Sequence, residues 1–164
     1  MTRVMGVDPG LSGALTLIDT TDWTMQIIDM PREPLRGDKN AVSSTGVGSA
    51  VTIFAPDYVF IEDVTASPQM GVTSAFSFGH SLGVVKGAVY PAMLTMVRPQ
   101  EWKAKTRTPK DKNLARRRAM ELFPCAVKLF QRVKDDGRAE SALLGFYGLL
   151  SLSLVPPRPL TLKE

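Results

Sequence analysis

The chain has 164 residues, 44% of them hydrophobic and 22% charged, which is enough for one domain with its own core and gives no sign of disorder. The single cysteine, Cys125, excludes an intramolecular disulfide framework and any CxxC metal or redox motif, and suits a reducing cytoplasm. Between Pro124 and Ala126 that thiol has no activating neighbour and is read as buried and inert. No cleavable signal opens the chain and no apolar stretch is long enough to span a bilayer without charge, Pro or turn residues, so a soluble, cytoplasmic protein with no membrane partner is expected.

The first thirty residues read as three strands. "RVMGVD" and "GALTLID" are short apolar runs separated by a Pro/Gly/Ser turn, and "WTMQIIDM" follows the turn-like "TTD", which together predict a meander. Residues 31–40, "PREPLRGDKN", read as a polar connection, and the weakly patterned stretch from Ala41 to Phe54 as a helix. "DYVFIEDV" predicts a buried fourth strand, Gly71 to Tyr90 a helix rich in small residues, and "LTMVRP" a fifth strand.

The second half is helical. Thr108 is placed to cap a helix with Pro109 at its first position and Asp111 three residues after the cap, and that helix stops at Pro124. A last helix spans roughly Asp135 to Leu152 and is ended by "VPPRP", leaving a tail over about 153–164. With no internal repeat and no dividing linker, this order predicts a single α/β domain over 1–164. Its centre is a mixed five-stranded sheet, a three-stranded antiparallel meander plus two parallel strands, flanked by helices.

Charge is distributed unevenly. From Arg98 to Arg118 nine Lys or Arg face only Glu101 and Asp111, a local balance of +7 in a chain whose total is +4. Such a segment on an otherwise slightly acidic molecule is the footprint of a phosphate-backbone binder, or more plainly a solvated helix face.

Three acidic positions each close or open an apolar element: Asp8 ends the first strand, Glu62 ends the fourth, and Asp135, Asp136 and Glu140 head the last helix. If the first and fourth strands are adjacent and parallel, Asp8 and Glu62 face each other. Residues four apart on a helix differ by about 40° around its axis, so Asp136 and Glu140 project from one face. Asp8, Glu62, Asp136 and Glu140 are hard oxygen donors only, a set that suits Mg²⁺ or Mn²⁺ and argues against zinc. Two such ions about 4 Å apart activate a water and stabilise the leaving oxygen of a phosphodiester. Each acid also has a plainer reading: Asp8 starts a turn before Pro9 and Gly10, and Asp135 and Asp136 are acids favoured by the helix dipole.

"GVDPGLSGAL", "VFIEDV", "TSAFSFGHSLGVVKGAV" and "DDGRAESALLGFYG" occur in the order and at roughly the spacing found in the RuvC-type Holliday junction resolvases of the RNase H-like superfamily. The chain particularly resembles their phage-borne branch. The resemblance covers nearly the whole chain and implies an RNase H-like fold and a homodimeric, Mg²⁺-dependent endonuclease that nicks opposed strands of a four-way DNA junction. Carried over by position, Asp8, Glu62 and Glu140 match the family's carboxylates, the last usually Asp in the bacterial enzymes. The family's fourth position, three residues before that last acid, is Gly137 here. Asp136, on the neighbouring helical position, is the expected substitute, ahead of Asp135.

The bacterial relatives carry an aromatic wedge three residues after the fourth-strand glutamate, where this chain has Thr65. Met70 or Phe76 could replace it, although Phe76 and Phe78 read more plainly as core packing. The helix from Gly71 to Tyr90 corresponds to the family's dimer helix, and His80 on it is read as structural or interfacial. Lys103, Lys105, Arg107, Lys110, Lys112 and Arg116 follow the family's basic region and are expected to contact DNA, whereas Trp102 is expected to pack. Two other readings stay open: a non-catalytic branched-DNA-binding module, and an actin-like phosphotransferase, which would need a second nucleotide-binding lobe.

Overall fold

A computed structural model describes every residue except Arg36, Asp38, Ala66 and Glu164. Strands β1 (Arg3–Asp8), β2 (Ala14–Asp19) and β3 (Thr24–Asp29) form the expected antiparallel meander, with Asp8 opposite Ala14 and Ala14 opposite Asp29. β6 (Tyr58–Glu62) pairs in parallel with β1, and β7 (Met93–Val97) in parallel with β6. The sheet has six strands rather than five, in the order β7-β6-β1-β2-β3-β8, because β8 (Thr161–Leu162) joins the free edge of β3 in parallel. Two residues are too short a run to carry a strand signature. What pairs them is the exposed edge of β3, where Thr161 and Lys163 donate to the carbonyls of Trp23 and Met25.

The polar connection after the meander holds a further small hairpin of β4 (Arg32–Pro34) and β5 (Asn40–Val42), with Arg36 and Asp38 of that connection outside the described residues. Helix α1 (Ser44–Phe54) starts three residues later than the sequence suggests, since Ser43 accepts from the Gly46 amide as its cap. Helix α2 (Val72–Ala88) follows β6, and α3 (Pro99–Thr106) follows β7.

The cap expected at Thr108 lies instead at Asp111, which accepts from the Leu114 amide at 2.9 Å and opens α4 (Lys112–Leu122). Arg107 ends α3 in the left-handed region (φ 54°), and this turn carries Thr108 inward, where its hydroxyl pairs with that of Thr106 at 2.8 Å. Two 3₁₀ turns, Pro124–Leu129 and Val133–Asp135, lead into α5 (Asp136–Ser151).

Alternation along β1 divides the core. Met5 and Val7, with Leu15, Val59 and Ile61, face α1 and the inner side of α2; Val4, with Ile18 and Phe60, faces α5, backed by Trp102, Phe123 and Phe130. Gly6 lies on the α5 face, and the helix backbone sits directly on it: a Cβ there would lie 2.1 Å from the Ser141 carbonyl oxygen and 2.2 Å from the Gly145 nitrogen. The buried hydroxyls of Thr16 and Ser141, 2.7 Å apart, fasten the same helix to β2.

On the other face α2 is half out of the molecule. Ser81 and Val85 are buried, but Phe76 is 78% exposed, against the expectation that it packs in the core, and His80 is also exposed. Cys125 is half-buried rather than buried, 3.6 Å from the Met25 sulfur, and desolvation pushes its thiol above the ordinary range. Among the described residues no helix is long and apolar enough to cross a membrane.

Candidate active site

β1 and β6 run in register, with Val7 beside Ile61, and both end one residue later, at Asp8 and Glu62. Two residues beyond Gly6 on the same face, Asp8 is directed toward α5, whose first turns carry Asp136 and Glu140. The sequence Asp-Pro-Gly supplies the local support: the Gly10 amide donates to Asp8 Oδ1 at 3.1 Å, an Asx-type turn. Glu62 has a donor that the sequence did not reveal. Trp102, fully buried on α3, donates its indole N–H to Glu62 Oε1 at 2.9 Å, so the side chain expected only to pack also aims a carboxylate.

The carboxylates feel one another. Burial pushes the Asp8 carboxyl up, the Gly10 hydrogen bond opposes this, and the charges of Glu62 and Asp136 push it further up. Glu140 is raised from 4.5 to about 7, first by burial and then by Asp8 and Glu62, while Lys112 and Lys103 pull it down. Among the described residues no group of three or more His, Cys, Asp and Glu side chains is placed to hold a metal ion as it stands. The donors of these carboxylates are all oxygen, the chemistry that a hard divalent cation would take.

The fourth expected ligand is held in ion pairs next to these carboxylates. Asp136 accepts from Arg116 and lies 3.8 Å from Lys112 Nζ. Asp135 is buried under Arg132, whose side chain donates at 2.9 Å, and those hydrogen bonds hold its carboxyl below the usual range despite burial. Gly137, where the resemblance would put a ligand, faces the β1–β2 turn: a Cβ there would lie 2.2 Å from the Ser12 carbonyl oxygen, which leaves no room for a side chain.

The six expected DNA-contacting cations divide into groups. Lys103, Arg107 and Lys110 line an open cavity of about 690 Å³ with Pro99, Ala104 and Pro109. Lys103 also lies over the Trp102 ring, 5.1 Å from its centre. Lys112 is exposed, and its charge reaches both Asp8 and Glu140. Lys105 donates to the Ser151 hydroxyl and lies over the Tyr147 ring. Arg116 departs from the expectation of an open phosphate contact: it is only 7% exposed and its guanidinium is bound to Asp136 and Asn113, because the buried face of α4 turns it toward α5.

The fold as a whole is similar to solved structures of two Holliday junction proteins. Thermus thermophilus RuvC in complex with a Holliday junction substrate superposes with a TM-score of 0.62 at 13% identity, over 93% of this chain and 96% of that one. The T. thermophilus RuvC structure gives 0.61 at 13% identity, over 96% and 100%. The fold is RNase H-like, of the RuvC kind. The yeast mitochondrial Holliday junction resolvase Ydc2 shares this RuvC-like fold with a TM-score of 0.52 at 15% identity, over 89% of this chain and 77% of that one. The sequence matches no family model and no curated protein.

Proposed function

We propose that this protein is a divalent-metal-dependent endonuclease that resolves Holliday junctions, and acts on other branched DNA, by nicking opposed strands as a homodimer. What supports the reading is that Asp8, Glu62 and Glu140, from three separate elements, feel one another's charge, with Lys112 and Lys103 acting on Glu140. Asp8, Glu62 and Glu140 would hold Mg²⁺, with Mn²⁺ as a substitute, and the cation would supply an activated water and charge stabilisation at the scissile phosphate. Asp136 stays in its ion pairs and keeps Lys112 and Arg116 beside the cleft. Trp102 and the Gly10 amide orient Glu62 and Asp8, and Lys103, Arg107, Lys110 and Lys112 hold the DNA backbone.

The similarity in fold to RuvC bound to a Holliday junction and to a mitochondrial Holliday junction resolvase supports the choice of substrate. The outer face of α2 supports the dimer: Gly79, Gly83 and Gly87 have nothing within 4 Å of where a Cβ would stand, and Val72 and Phe76 are exposed on the same helix. A two-fold pairing there would bring two clefts to one four-way junction. On this reading the protein works in the cytoplasm, the host's if the gene is carried by a phage.

The test is incubation of the purified protein with a labelled synthetic four-way junction in Mg²⁺ and in EDTA, with Asp8→Asn alongside. Paired nicks that need the metal and vanish in Asp8→Asn are expected. Tight binding without cleavage in any divalent ion would overturn the nuclease reading in favour of a branched-DNA-binding module.

A further inference from the structure

A second charged basin lies on the same edge of the sheet as the carboxylates. Asp8 pairs across to Ala14 and Ala14 to Asp29, so Asp29 stands two strands from Asp8 along a straight line of register. At 4.7–4.9 Å per strand that separation is about 10 Å, or about three base steps of a DNA strand. Around Asp29 an open polar cavity of about 400 Å³ is lined by Arg32, Arg132, Lys134 and Arg138, with Asp135 and the backbone of Ser12 and Gly13.

The balance of charge in this basin is positive. Asp29 is held by Arg138 through two hydrogen bonds of 2.6 Å, and Asp135 by Arg132 at 2.9 Å with Arg138 at 3.6 Å. Both carboxylates are therefore spent on fixing guanidinium groups. Arg32, at the start of β4, and Lys134, in the turn before α5, are exposed and make no ion pair among the described residues. The wall of the basin is the β1–β2 turn, the same turn whose Gly10 amide holds Asp8, so basin and carboxylate cleft are joined by one stretch of backbone.

We propose that this basin is a second phosphate-binding surface, which holds a DNA strand on the β3 side of the carboxylates, opposite Trp102 and Lys103. The inference rests on the nuclease reading above and extends it. A strand lying over Asp8 and Glu62 is gripped on one side by Lys103 and Lys112 and on the other by Arg32, Lys134 and the outer guanidinium edges of Arg132 and Arg138. The cleft itself is anionic and repels phosphate, so two flanking cationic banks counter that repulsion where a single bank would leave the strand free to tilt away.

The experiment is fluorescence anisotropy of a labelled four-way junction in EDTA over a series of salt concentrations. The proteins are wild type, R32E/K134E and a charge-matched control, K128E/K163E. Lys163 sits beside Asp22 at the opposite edge of the sheet, and Lys128 lies in the turn that packs near β8. The expected result is a dissociation constant raised about 10-fold or more in R32E/K134E, with the salt dependence of log K less steep by about 2. The control moves both by less than half as much. R32Q/K134Q, which removes the charges without reversing them, gives a smaller change in the same direction and serves if the reversal fails to fold. If the wild type binds and cleaves the junction but the R32/K134 variants lose no more affinity than the control, the basin does not hold DNA and the nuclease reading stands. If the wild type neither binds nor cleaves, both fall together.

Discussion

Asp8 and Glu62 end two hydrogen-bonded parallel strands at the same step, one residue beyond the pair Val7 and Ile61. Two carboxylates so placed repel each other and any approaching phosphate. Asp8→Asn and Glu62→Gln should each lower single-turnover cleavage of a junction in saturating Mg²⁺ by about 100-fold or more. The same substitutions should leave binding in EDTA as tight as in the wild type or tighter, since each removes a negative charge from the path of the DNA. Anisotropy alongside the cleavage assay separates the two effects.

Glu140 should give the protein a pH-dependent stability in EDTA. Its carboxyl ionises near 4.5 in the unfolded chain but near 7 in the folded one, so between those values the folded state binds more protons. Stability should therefore fall as pH rises through that window and level off above it. The loss attributable to this group is about 2 to 3 kcal/mol. Thermal melts in EDTA from pH 4.5 to 8 should show the decline, Glu140→Gln should flatten it, and Mg²⁺ at pH 8 should restore the wild type.

Trp102→Phe keeps an aromatic ring in the core but removes the N–H that Glu62 accepts. An outer partner of this kind is worth about 10- to 100-fold in metal affinity or activity. The variant should need more Mg²⁺ for half-maximal cleavage and should lose about 1 kcal/mol of stability in urea unfolding. Restored cleavage at high Mg²⁺ would identify the loss as one of carboxylate aim.

Gly6→Ala and Gly137→Ala place a methyl against backbone atoms at 2.1 and 2.2 Å. No rotamer relieves a Cβ, so the strand, the turn or the helix must move. Each variant should lose about 3 kcal/mol, measured by denaturant unfolding, whereas Gly48→Ala, with open space around it in α1, should be neutral or stabilising.

Phe76→Glu puts a charge on the exposed face of α2 without disturbing the core, because the ring is already in solvent. Analytical ultracentrifugation should show wild-type dimer and variant monomer at micromolar concentration, with paired nicking reduced to single nicks.

Much of the fold was legible because its signals are local. The apolar runs around Val4, Leu15 and Ile61 sit between turn residues, and the strands lie where those runs are. β8 was not legible: Thr161 and Leu162 pair because β3 has a free edge, a fact about the sheet and not about the two residues. Thr108 looked like a cap because Pro109 follows it, but the left-handed turn at Arg107 decides where the chain goes. At the candidate site, residue type and order single out Asp8, Glu62 and Glu140 as candidates. The tie between Trp102 and Glu62 was not legible, since the two are forty positions apart and an indole in a core is usually explained by packing alone. Arg116 read as one basic residue among many until the helix phase of α4 turned it inward to Asp136. Phe76 was misread for the opposite reason: an aromatic on a helix is normally inside, and here the helix lies at the surface with that side outward.

Because α5 rests on β1 through bare backbone at Gly6 and on the β1–β2 turn through Gly137, its lengthwise position is indexed by hard stops, as a ratchet pawl is by its teeth. Sliding the helix by a single residue would drive Arg138 into the gap that Gly137 fills and Phe146 into the one that Gly145 fills, neither of which admits a side chain. Repacking the hydrophobic filling of the interior leaves both stops in place, while one added methyl at either would shift Glu140 with respect to Asp8.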